Sequence, residues 1–399
     1  MKILTFTSLF PNRLKPDFGA FIYQRTAHLA ARSGNFLRVL APIPYFPSWP
    51  RTNRWSSFSK VPINESVGTL TVSHPRYPLL PGVMPLHGWL IFLGCLRAVR
   101  RLHREFGFDC LDAHYIYPDC FAAVLLAKIL RIPVIVSARG TDINLFPSFA
   151  TILPQIRWVL LQCSGIIAVS AALKEKMVAI GVPAEKIRVI GNGVDTHRFQ
   201  WIDRDLARRR LAVPEKARML LSVGSLVPVK SHHLLISVMA ELASRYPDLL
   251  LYIVGDGPER SRLELEIRSR GLQTRIFLPG NQPNEVLPFW FNAADISCLT
   301  SSREGWPNVI SESIACGTPV VATRVGGVPE IITSPGLGIM TEPTVDSIAE
   351  GIELALRTNW DRQLLLRTAQ SRTWAVVAEE VESFIASCVH NSANSGKSV

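Results

Sequence analysis

SSREGWPNVISESIACGTPVVATRVGGVPE, residues 301–330, is the stretch that decides the fold. A strand precedes it, and a helix is predicted to begin at Pro307 or Asn308, because proline is tolerated at a first helical position where its missing N–H would have no partner. Gly317 is predicted to end that helix in the left-handed conformation, and Pro319 to begin the next strand. The stretch is therefore the strand–helix–strand unit that is typical of parallel α/β sheets.

The same alternation of short β-branched runs and helical stretches extends along the chain in both directions. Nearly continuous apolar runs at 133–138 and 165–170 indicate strands that are buried on both faces, as in a parallel sheet. The pattern predicts α/β architecture with doubly wound sheets. The predicted strands cover residues 2–7, 36–41, 69–74, 109–113, 133–138, 165–170, 187–190, 219–223, 249–254, 275–278, 295–299 and 319–323; after residue 338 the chain is predicted to be helical to residue 388.

The chain of 399 residues is long enough for two domains. The alternation pauses at residues 191–195, and a polar, arginine-rich stretch follows. We predict two Rossmann-like domains that face each other across a cleft, because ligands of open α/β sheets bind at the carboxyl ends of the strands. The predicted divisions are an N-terminal domain over 1–195, a C-terminal domain over 196–370, a helix over 371–390 able to return to the N-terminal domain, and a disordered tail over 391–399.

Charge is distributed unevenly. Residues 1–200 contain 23 Lys and Arg against 10 Asp and Glu, whereas the remainder contains 20 against 22. The basic half indicates an anionic membrane surface or a phosphorylated lipid as partner, or simply a basic surface kept for solubility. Zinc-finger and RNA-binding patterns are missing from the sequence, so we expect no nucleic-acid partner.

The seven cysteines are scattered without a C-x-x-C spacing, and we interpret them as buried free thiols of a reducing compartment. The first ten residues do not have the long apolar region of a secretory signal. The most membrane-like run, 86–99, is shorter than the roughly 20 residues that a membrane span needs. We therefore expect a cytoplasmic protein, with possible association at the inner face of the membrane.

The helix predicted near Pro307 is preceded by Gly305, and its amino end with the helix dipole is suited to an anion. Glu304 lies before the helix and Glu312 lies more than a turn inside it, so one carboxylate could reach a sugar hydroxyl and the other a ribose, with phosphates between them. The D-x-D sequence at 203–205 lies in the linker, and we interpret it as the acidic start of a helix and not as a metal site.

These residues closely resemble the C-terminal signature of the retaining glycosyltransferase family 4, whose members have the GT-B architecture. Further landmarks of that family are present in order at 168–199, 221–231 and 251–263. The N-terminal stretch 8–30 resembles members that build cell-surface polysaccharides such as teichuronic acid. The resemblance implies a nucleotide-diphosphate sugar donor, with UDP- or GDP-sugars expected first, and a saccharide or polyprenyl-diphosphate-linked acceptor. It also implies transfer with retention, no metal and no further cofactor.

The resemblance also implies individual roles. Lys230 matches the lysine that neutralises the leaving diphosphate, Glu304 the carboxylate on the transferred sugar, and Glu312 the carboxylate on the ribose hydroxyls. Gly19 matches a glycine whose N–H approaches the diphosphate, and His114 a histidine near the reacting sugar. Backbone N–H groups for the phosphates are implied at Gly305, Trp306, Asn308 and Val309. The catalytic residues are thus predicted to be His114, Lys230 and Glu304.

Three positions depart from the usual pattern of the family, and one of them is Ser231, which replaces the usual glycine after Lys230. Ser225 stands where members usually have an arginine, so one cation of the donor site is missing. Arg139 stands where many members have histidine, and it leaves Asp142 as a carboxylate that orients the acceptor or pairs with an arginine.

Other interpretations stay open at this point. The chain could be a related enzyme such as a nucleotide-sugar 2-epimerase or a phosphorylase. It could also be a non-catalytic scaffold of polysaccharide assembly. An epimerase would need further acid/base carboxylates, and a phosphorylase would need a pyridoxal-phosphate lysine. A scaffold would be expected to lose Lys230 or the glutamate pair, yet the sequence contains all three residues.

Overall fold

The computed structural model describes residues 1–45, 58, 60–80 and 82–395. The chain divides into two compact units. Unit 1 contains Met1–Asn192 together with Trp374–Val399, and unit 2 contains Gly193–Thr373. The division therefore lies three residues before the predicted boundary at 195, and the chain returns to unit 1 after residue 373.

Unit 1 contains an eight-stranded sheet, which is parallel except at one edge. Nearly continuous apolar runs form two of its inner strands, at residues 134–138 and 165–168, whose residues are all buried, as the sequence predicted. The described strands of unit 1 are β1 (Lys2–Phe6), β2 (Phe36–Leu40), β3 (Ile43–Tyr45), β4 (Asn64–Val67), β5 (Leu70–Ser73), β6 (Arg76–Pro78), β7 (Cys110–His114), β8 (Val134–Ala138), β9 (Gly165–Ala168) and β10 (Ile187–Val189). Their order is β10-β9-β8-β7-β1-β2-β5-β4, with β4 antiparallel to β5, while β3 and β6 form a separate parallel pair.

Helices connect the parallel strands of unit 1. They are α1 (Ala20–Ala31), α2 (His87–Phe106), α3 (Phe121–Leu130), α4 (Thr141–Asn144), α5 (Leu153–Gln162) and α6 (Ala171–Ala179). Helix α5 carries Pro154 in its first turn, where the missing N–H of proline needs no helical partner. Of the described residues, no helix is both long enough and apolar enough to cross a bilayer.

Unit 2 contains a six-stranded sheet whose neighbouring strands are all parallel. Its strands are β11 (Arg218–Val223), β12 (Leu249–Val254), β13 (Ile276–Gly280), β14 (Ile296–Leu299), β15 (Val320–Thr323) and β16 (Gly338–Thr341). Their order is β13-β12-β11-β14-β15-β16, so the direction of winding reverses between β11 and β14. The prediction of a continuous helical region after residue 338 is wrong at its start, because 338–341 pairs with β15.

Helices flank the strands of unit 2. They are α7 (Arg204–Leu211), α8 (His232–Leu242), α9 (Arg260–Ser269), α10 (Leu287–Ala293), α11 (Asn308–Ala315), α12 (Val328–Ile331), α13 (Val345–Arg357) and α14 (Arg362–Ser371). The Asp203 carboxylate accepts the backbone N–H of Leu206 at 2.9 Å and so caps α7. This confirms that the D-x-D sequence begins a helix.

The last helix, α15 (Trp374–Ser395), completes the core of unit 1. Its inner face packs on residues from the first helix and from three strands. The shared cluster includes Trp374, Val377, Val381 and Ile385 of α15 with Ile3, Leu29, Ile135 and Ile167. The disordered tail predicted from 391 is wrong for 391–395, which continue the helix; residues 396–399 lie outside the described residues.

All seven cysteines are buried and free, as predicted. The prediction of two doubly wound parallel-sheet units is also confirmed.

Candidate functional site

The reversal of strand order in unit 2 brings together two loops that are distant in sequence. Lys230 ends a short 3-10 turn, Pro228–Lys230, that follows β11. Glu304 lies in the loop that follows β14. Since β11 and β14 are neighbours and parallel, both loops leave the same edge of the sheet. The helices that follow the two strands diverge at this edge, because the strand order reverses there, and a crevice forms between the loops.

The Lys230 ammonium and the Glu304 carboxylate form the central contact of this edge. Lys230 Nζ lies 2.6 Å from Glu304 Oε1, and Ser301 Oγ donates to the same oxygen at 2.6 Å. The two side chains are 21% and 11% exposed, so both remain accessible from solvent. The Ser302 N–H also donates to the carbonyl of Val229 at 2.8 Å, which ties the two loops together. A cation is therefore held in a defined position before any ligand binds.

The turn after β15 fixes the backbone of Glu304. Gly326 has φ of +52°, and a Cβ built there would lie 2.1 Å from the Glu304 carbonyl oxygen. The next N–H, of Gly327, donates to the carbonyl of Gly305 at 3.2 Å. Only glycine allows this approach of two main chains, because any side chain at 326 would enter the space of the Glu304 peptide.

Helix α11 begins directly after this loop, as predicted. Pro307 is extended, and the helical residues start at Asn308. Gly305 is buried, whereas Trp306, Asn308 and Val309 are half-buried. Trp306 and Val309 pack against the apolar core of unit 2, which holds the amino end of the helix beside Glu304. The positive end of the helix dipole therefore lies beside the loop that carries Glu304, whose carboxylate contacts the Lys230 ammonium.

Glu312 lies within α11 and is half-buried. Burial raises the pKa of its carboxyl group to about 7, and the charge of Arg198 acts in the opposite direction. Its charge in turn contributes to the raised pKa of Cys316, one turn further along the helix. A carboxylate with this pKa changes its charge near neutral pH.

The loop after β11 contains Ser225 and rests on a histidine that sequence reasoning missed. Ser225 itself is exposed. His232 Nε2 lies 3.4 Å from the Ser225 carbonyl oxygen, and burial lowers the pKa of the His232 ring to about 4. A neutral His232 therefore supports the loop between β11 and Lys230. The only sequence signal was its place immediately after Lys230 and Ser231, at the start of a helix.

In unit 1, Gly19 closes the loop that follows β1 and precedes α1. Its φ is +69°, and a Cβ there would lie 2.2 Å from the carbonyl oxygen of Leu9. The observed structure thus requires glycine at this position for the packing of the loop itself. Its predicted approach to a diphosphate stays a prediction.

His114 ends β7 and is completely buried. Arg139 can only donate, so its contact makes His114 Nδ1 an acceptor, and the proton lies on Nε2, which is 3.3 Å from Asp112 Oδ2. Burial lowers the pKa of His114 to about 3, and the positive charges of Arg139 and Arg25 act in the same direction. The ring is therefore neutral at pH 7. Its predicted catalytic role stays a prediction.

Asp142 lies on the buried side of the Arg139 loop. Its carboxylate accepts the backbone N–H groups of Ile116 at 2.9 Å, Gly140 at 2.8 Å and Arg139 at 3.1 Å. The Arg139 guanidinium instead donates to His114 and, at 3.2 Å, to Asn192. Asp142 thus fixes the backbone of the Arg139 loop, and its carboxylate is not exposed to solvent.

Asp119 is a second residue that sequence reasoning missed. It is completely buried, accepts the Ser8 N–H at 2.5 Å and the Ser8 hydroxyl at 3.0 Å, and burial raises its pKa to about 7. Asp119 therefore ties the segment after β7 to the loop after β1. Its position five residues after His114 was the available signal.

A cavity of about 110 Å³ lies at the carboxyl ends of β1 and β2 in unit 1. Aromatic rings dominate its lining, with Phe10, Phe18, Phe58 and Tyr77 beside the polar Asn12 and His74. Aromatic faces with a few polar groups are typical of sites for small organic ligands, including sugars.

Known proteins resemble this chain in sequence and in fold. A Bacillus subtilis protein named for teichuronic acid biosynthesis, the glycosyltransferase TuaC, is 27% identical over 88% of both chains. An N-acetyl-alpha-D-glucosaminyl L-malate synthase of Bacillus anthracis is also 27% identical, over 59% of this chain and 61% of that protein. The solved structure of Anabaena HepE in complex with UDP has 21% identity and a TM-score of 0.73, and the match covers 97% of this chain and 100% of that one.

Sucrose-phosphate synthase from Thermosynechococcus elongatus has the same fold, with a TM-score of 0.77, 18% identity and coverage of 97% and 98%. The GT-B architecture implied by the resemblance is confirmed. The family description "Glycosyl transferases group 1" matches residues 203–372, and "Glycosyltransferase Family 4" matches residues 27–198. The two matches follow each other along nearly the whole chain, one in each unit, and the chain belongs to glycosyltransferase family 4.

Proposed function

We propose that this chain, a nucleotide-sugar-dependent glycosyltransferase, holds the diphosphate of its donor at the crevice between β11 and β14. The single observation that supports the site is the 2.6 Å contact between Lys230 and Glu304 beside the amino end of α11. Lys230 and the backbone N–H groups of Gly305, Trp306, Asn308 and Val309 would bind phosphate oxygens. Glu304 would accept hydrogen bonds from hydroxyl groups of the transferred sugar, and Glu312 would accept them from the hydroxyl groups of the ribose. Exposed Ser225 would face the phosphates without adding a charge.

The chemical step follows from where charge develops. The bond between the anomeric carbon and the diphosphate oxygen breaks, and its electron pair goes to the diphosphate. The acceptor hydroxyl oxygen bonds to the anomeric carbon, and we propose that its proton goes to the departing diphosphate. A cation positioned in advance lowers the energy of that transition state, because it needs no reorganisation when the charge appears.

Retention and independence from metal are parts of the same proposal. An ammonium and a helix dipole can supply the positive charge that a divalent cation supplies at many diphosphate sites. Retention requires the acceptor to approach the same face of the sugar that the diphosphate leaves. A product analysis by NMR of the anomeric proton tests retention, and activity that is unchanged by excess chelator tests metal independence.

The acceptor is proposed to bind unit 1. The aromatic cavity near Phe10 and Phe18 lies on the same edge of the sheet as Gly19 and His114, and the exposed Phe18 ring would stack on a sugar face. The similarity to a teichuronic acid biosynthesis protein favours a saccharide or a polyprenyl-diphosphate-linked saccharide in surface polysaccharide assembly, with UDP- or GDP-sugars as donors. We also propose that the basic N-terminal unit contacts anionic membrane at its inner, cytoplasmic face.

A donor screen tests this function. Thermal unfolding is measured with UDP-, GDP- and ADP-sugars, and released nucleotide is then assayed with a polyprenyl-diphosphate oligosaccharide as acceptor. We expect one nucleotide to raise the melting temperature, because a ligand that binds only the native state stabilises it. A protein that no nucleotide stabilises would be better explained as a scaffold. A protein that binds a donor and converts it without any acceptor to an epimeric sugar would be an epimerase.

Replacing Glu312 by glutamine is expected to stabilise the protein and weaken donor binding. The native pKa of about 7 lies above the ordinary value of 4.5, so the carboxylate destabilises the folded state increasingly as the pH rises between these values. The glutamine variant should therefore gain about 1–2 kcal/mol near pH 8, where wild-type Glu312 is ionised, and nothing near pH 4. Melting curves at both pH values measure the gain.

The same variant tests contact with the ribose. Wild-type donor affinity should increase as the pH rises through 7, whereas the variant should bind about tenfold more weakly near pH 8, without that dependence. Exposed Glu285, changed to glutamine, is the matched control and should alter neither property. Unchanged donor affinity in the Glu312 variant would contradict the ribose role.

A further inference from the structure

Helix α2 presents large apolar side chains to solvent in its first half. Its inner face is buried on unit 1 through Ile91, Cys95 and Val99. On the outer face, Leu86 just before the helix is 50% exposed, Trp89 46% and Leu93 62%. Single exposed apolar residues are ordinary on protein surfaces, but three on consecutive turns of one face form a continuous strip.

This strip borders an apolar groove of about 380 Å³ in the same unit. Helices α2, α3 and α5 form its walls through Trp89, Phe121, Leu125, Pro154 and Trp158. The Phe121 ring centroid lies 5.3 Å from those of both Trp89 and Trp158, so the rings form one connected surface. Exposed Ile129 of α3 and Leu161 of α5 extend the apolar area beyond the groove.

The second half of α2 carries positive charge on the same outer face. Arg97, Arg100, Arg101 and Arg104 are all exposed. They continue the spacing of Leu86, Trp89 and Leu93 by three or four residues, which keeps them on one side of an α-helix. At 1.5 Å per residue, Arg100 lies roughly 16 Å along the axis from Trp89. The outer face of α2 thus changes from apolar to cationic along its length.

We propose that the α2 face, defined as the outer residues of α2 together with the groove that Phe121 and Trp158 complete, docks on the surface of an anionic lipid bilayer. Trp89, Leu93 and the groove contact the acyl-chain boundary. The arginines contact anionic headgroups. Apolar aromatic and aliphatic side chains beside clustered arginines are the pairing that binds an interfacial helix to anionic membrane.

Two other partners fit this combination less well. A nucleic acid would attract the arginines but would leave the exposed Trp89 and Leu93 against a polar backbone. A second copy of the chain would bring another set of four arginines to the interface, where like charges repel. A bilayer surface offers its acyl-chain boundary to the apolar half of the α2 face and its anionic headgroups to the arginine half.

This inference deepens the proposed function, because it supplies the surface by which unit 1 would reach a lipid-linked acceptor. Membrane docking by the α2 face does not itself require glycosyl transfer; only the role of docking in reaching the acceptor depends on the proposed function. Vesicle binding is measured without donor or acceptor, so a failure of docking and a failure of glycosyl transfer are distinguishable.

Sedimentation of the full chain with vesicles tests the docking. We expect binding to vesicles of phosphatidylcholine with phosphatidylglycerol, and much weaker binding to phosphatidylcholine alone. Changing Arg97 and Arg100 to glutamine should weaken binding to the anionic vesicles about 25-fold, since each arginine near such a surface contributes about fivefold. Changing Trp89 and Leu93 to serine should weaken it at least about tenfold, and the Trp fluorescence shift on vesicle addition should decrease.

Leu265 and Leu354 are 60% and 58% exposed on unit 2. The control variant changes both to serine and should leave vesicle binding unchanged. All variants should keep wild-type melting temperatures and activity on a soluble acceptor. Failure of the wild-type protein to bind anionic vesicles would overturn the proposal. So would a concentration-dependent dimer in light scattering that the Trp89 and Leu93 variant abolishes, because that result would assign the face to a second copy.

Discussion

Replacing Lys230 by alanine is expected to lower kcat about 10²–10³-fold while the donor Kd changes less than about fivefold. The ammonium is held 2.6 Å from Glu304 by the protein itself, and its position is therefore set before the donor arrives. The diphosphate gains negative charge as the anomeric bond breaks, so the cation acts more strongly in the transition state than in the bound ground state. Steady-state kinetics with donor and acceptor, combined with calorimetric donor binding, separates the two quantities.

Two variants make this result specific to the site. Exposed Lys216, changed to alanine, is a lysine of the same unit and should retain wild-type kcat. Lys230 changed to arginine keeps the charge but not the compact ammonium, and should recover part of the lost rate. Wild-type turnover in the alanine variant would remove Lys230 from the mechanism.

Gly326 changed to alanine is expected to cost about 3–5 kcal/mol of stability, or to reduce kcat at least about 100-fold if the protein stays folded. The added Cβ would lie 2.1 Å from the Glu304 carbonyl oxygen, so one of two main chains must shift. A shift of the Glu304 loop separates its carboxylate from Lys230 and displaces the start of α11. Chemical denaturation measures the first effect, and kinetics at a temperature where the variant is folded measures the second.

Gly271 provides the matched control. It also has a positive φ, of +69°, but a Cβ there meets nothing within 4 Å. Alanine at 271 should therefore cost only about 1–2 kcal/mol from its backbone conformation and leave kcat unchanged. Equal effects at both positions would show that the conformation, and not the approach to Glu304, makes glycine necessary at 326.

Periodicity predicted the elements that surround the site. The strands before Lys230 and Glu304 and the start of α11 were all visible from apolar runs, a proline and a capping glycine. These features are local, because they depend on residues a few positions apart. Strand β16 escaped prediction because it is short, begins with glycine and is followed directly by a helix.

The contact between Lys230 and Glu304 could not be predicted from the residues alone. It joins positions 74 residues apart and depends on β11 and β14 being neighbours, which is a property of strand order. The resemblance to a family assigned the two residues to one donor, but it did not imply that they pair with each other. Contacts of this kind follow from topology and not from local pattern.

Burial was the second property that the sequence did not reveal. His114, Arg139 and Asp142 were expected to face a ligand, yet His114 and Asp142 are completely buried. The cause is a set of polar contacts within unit 1, in which Arg25 pairs with Asp112 at 2.6 Å and Arg139 donates to His114. The sequence alone does not distinguish a charged residue at a strand end that contacts a substrate from one that pairs with other residues of its own unit.

The place of α15 has a consequence for synthesis. Met1–Asn192 emerges from the ribosome long before the helix that begins at Trp374, and the interior of unit 1 lacks one wall until that helix is made. Unit 2, which is encoded as one uninterrupted segment between the two parts, can reach its native state first. A stop codon at the start of α15 would therefore damage unit 1, although the rest of that unit is translated before unit 2.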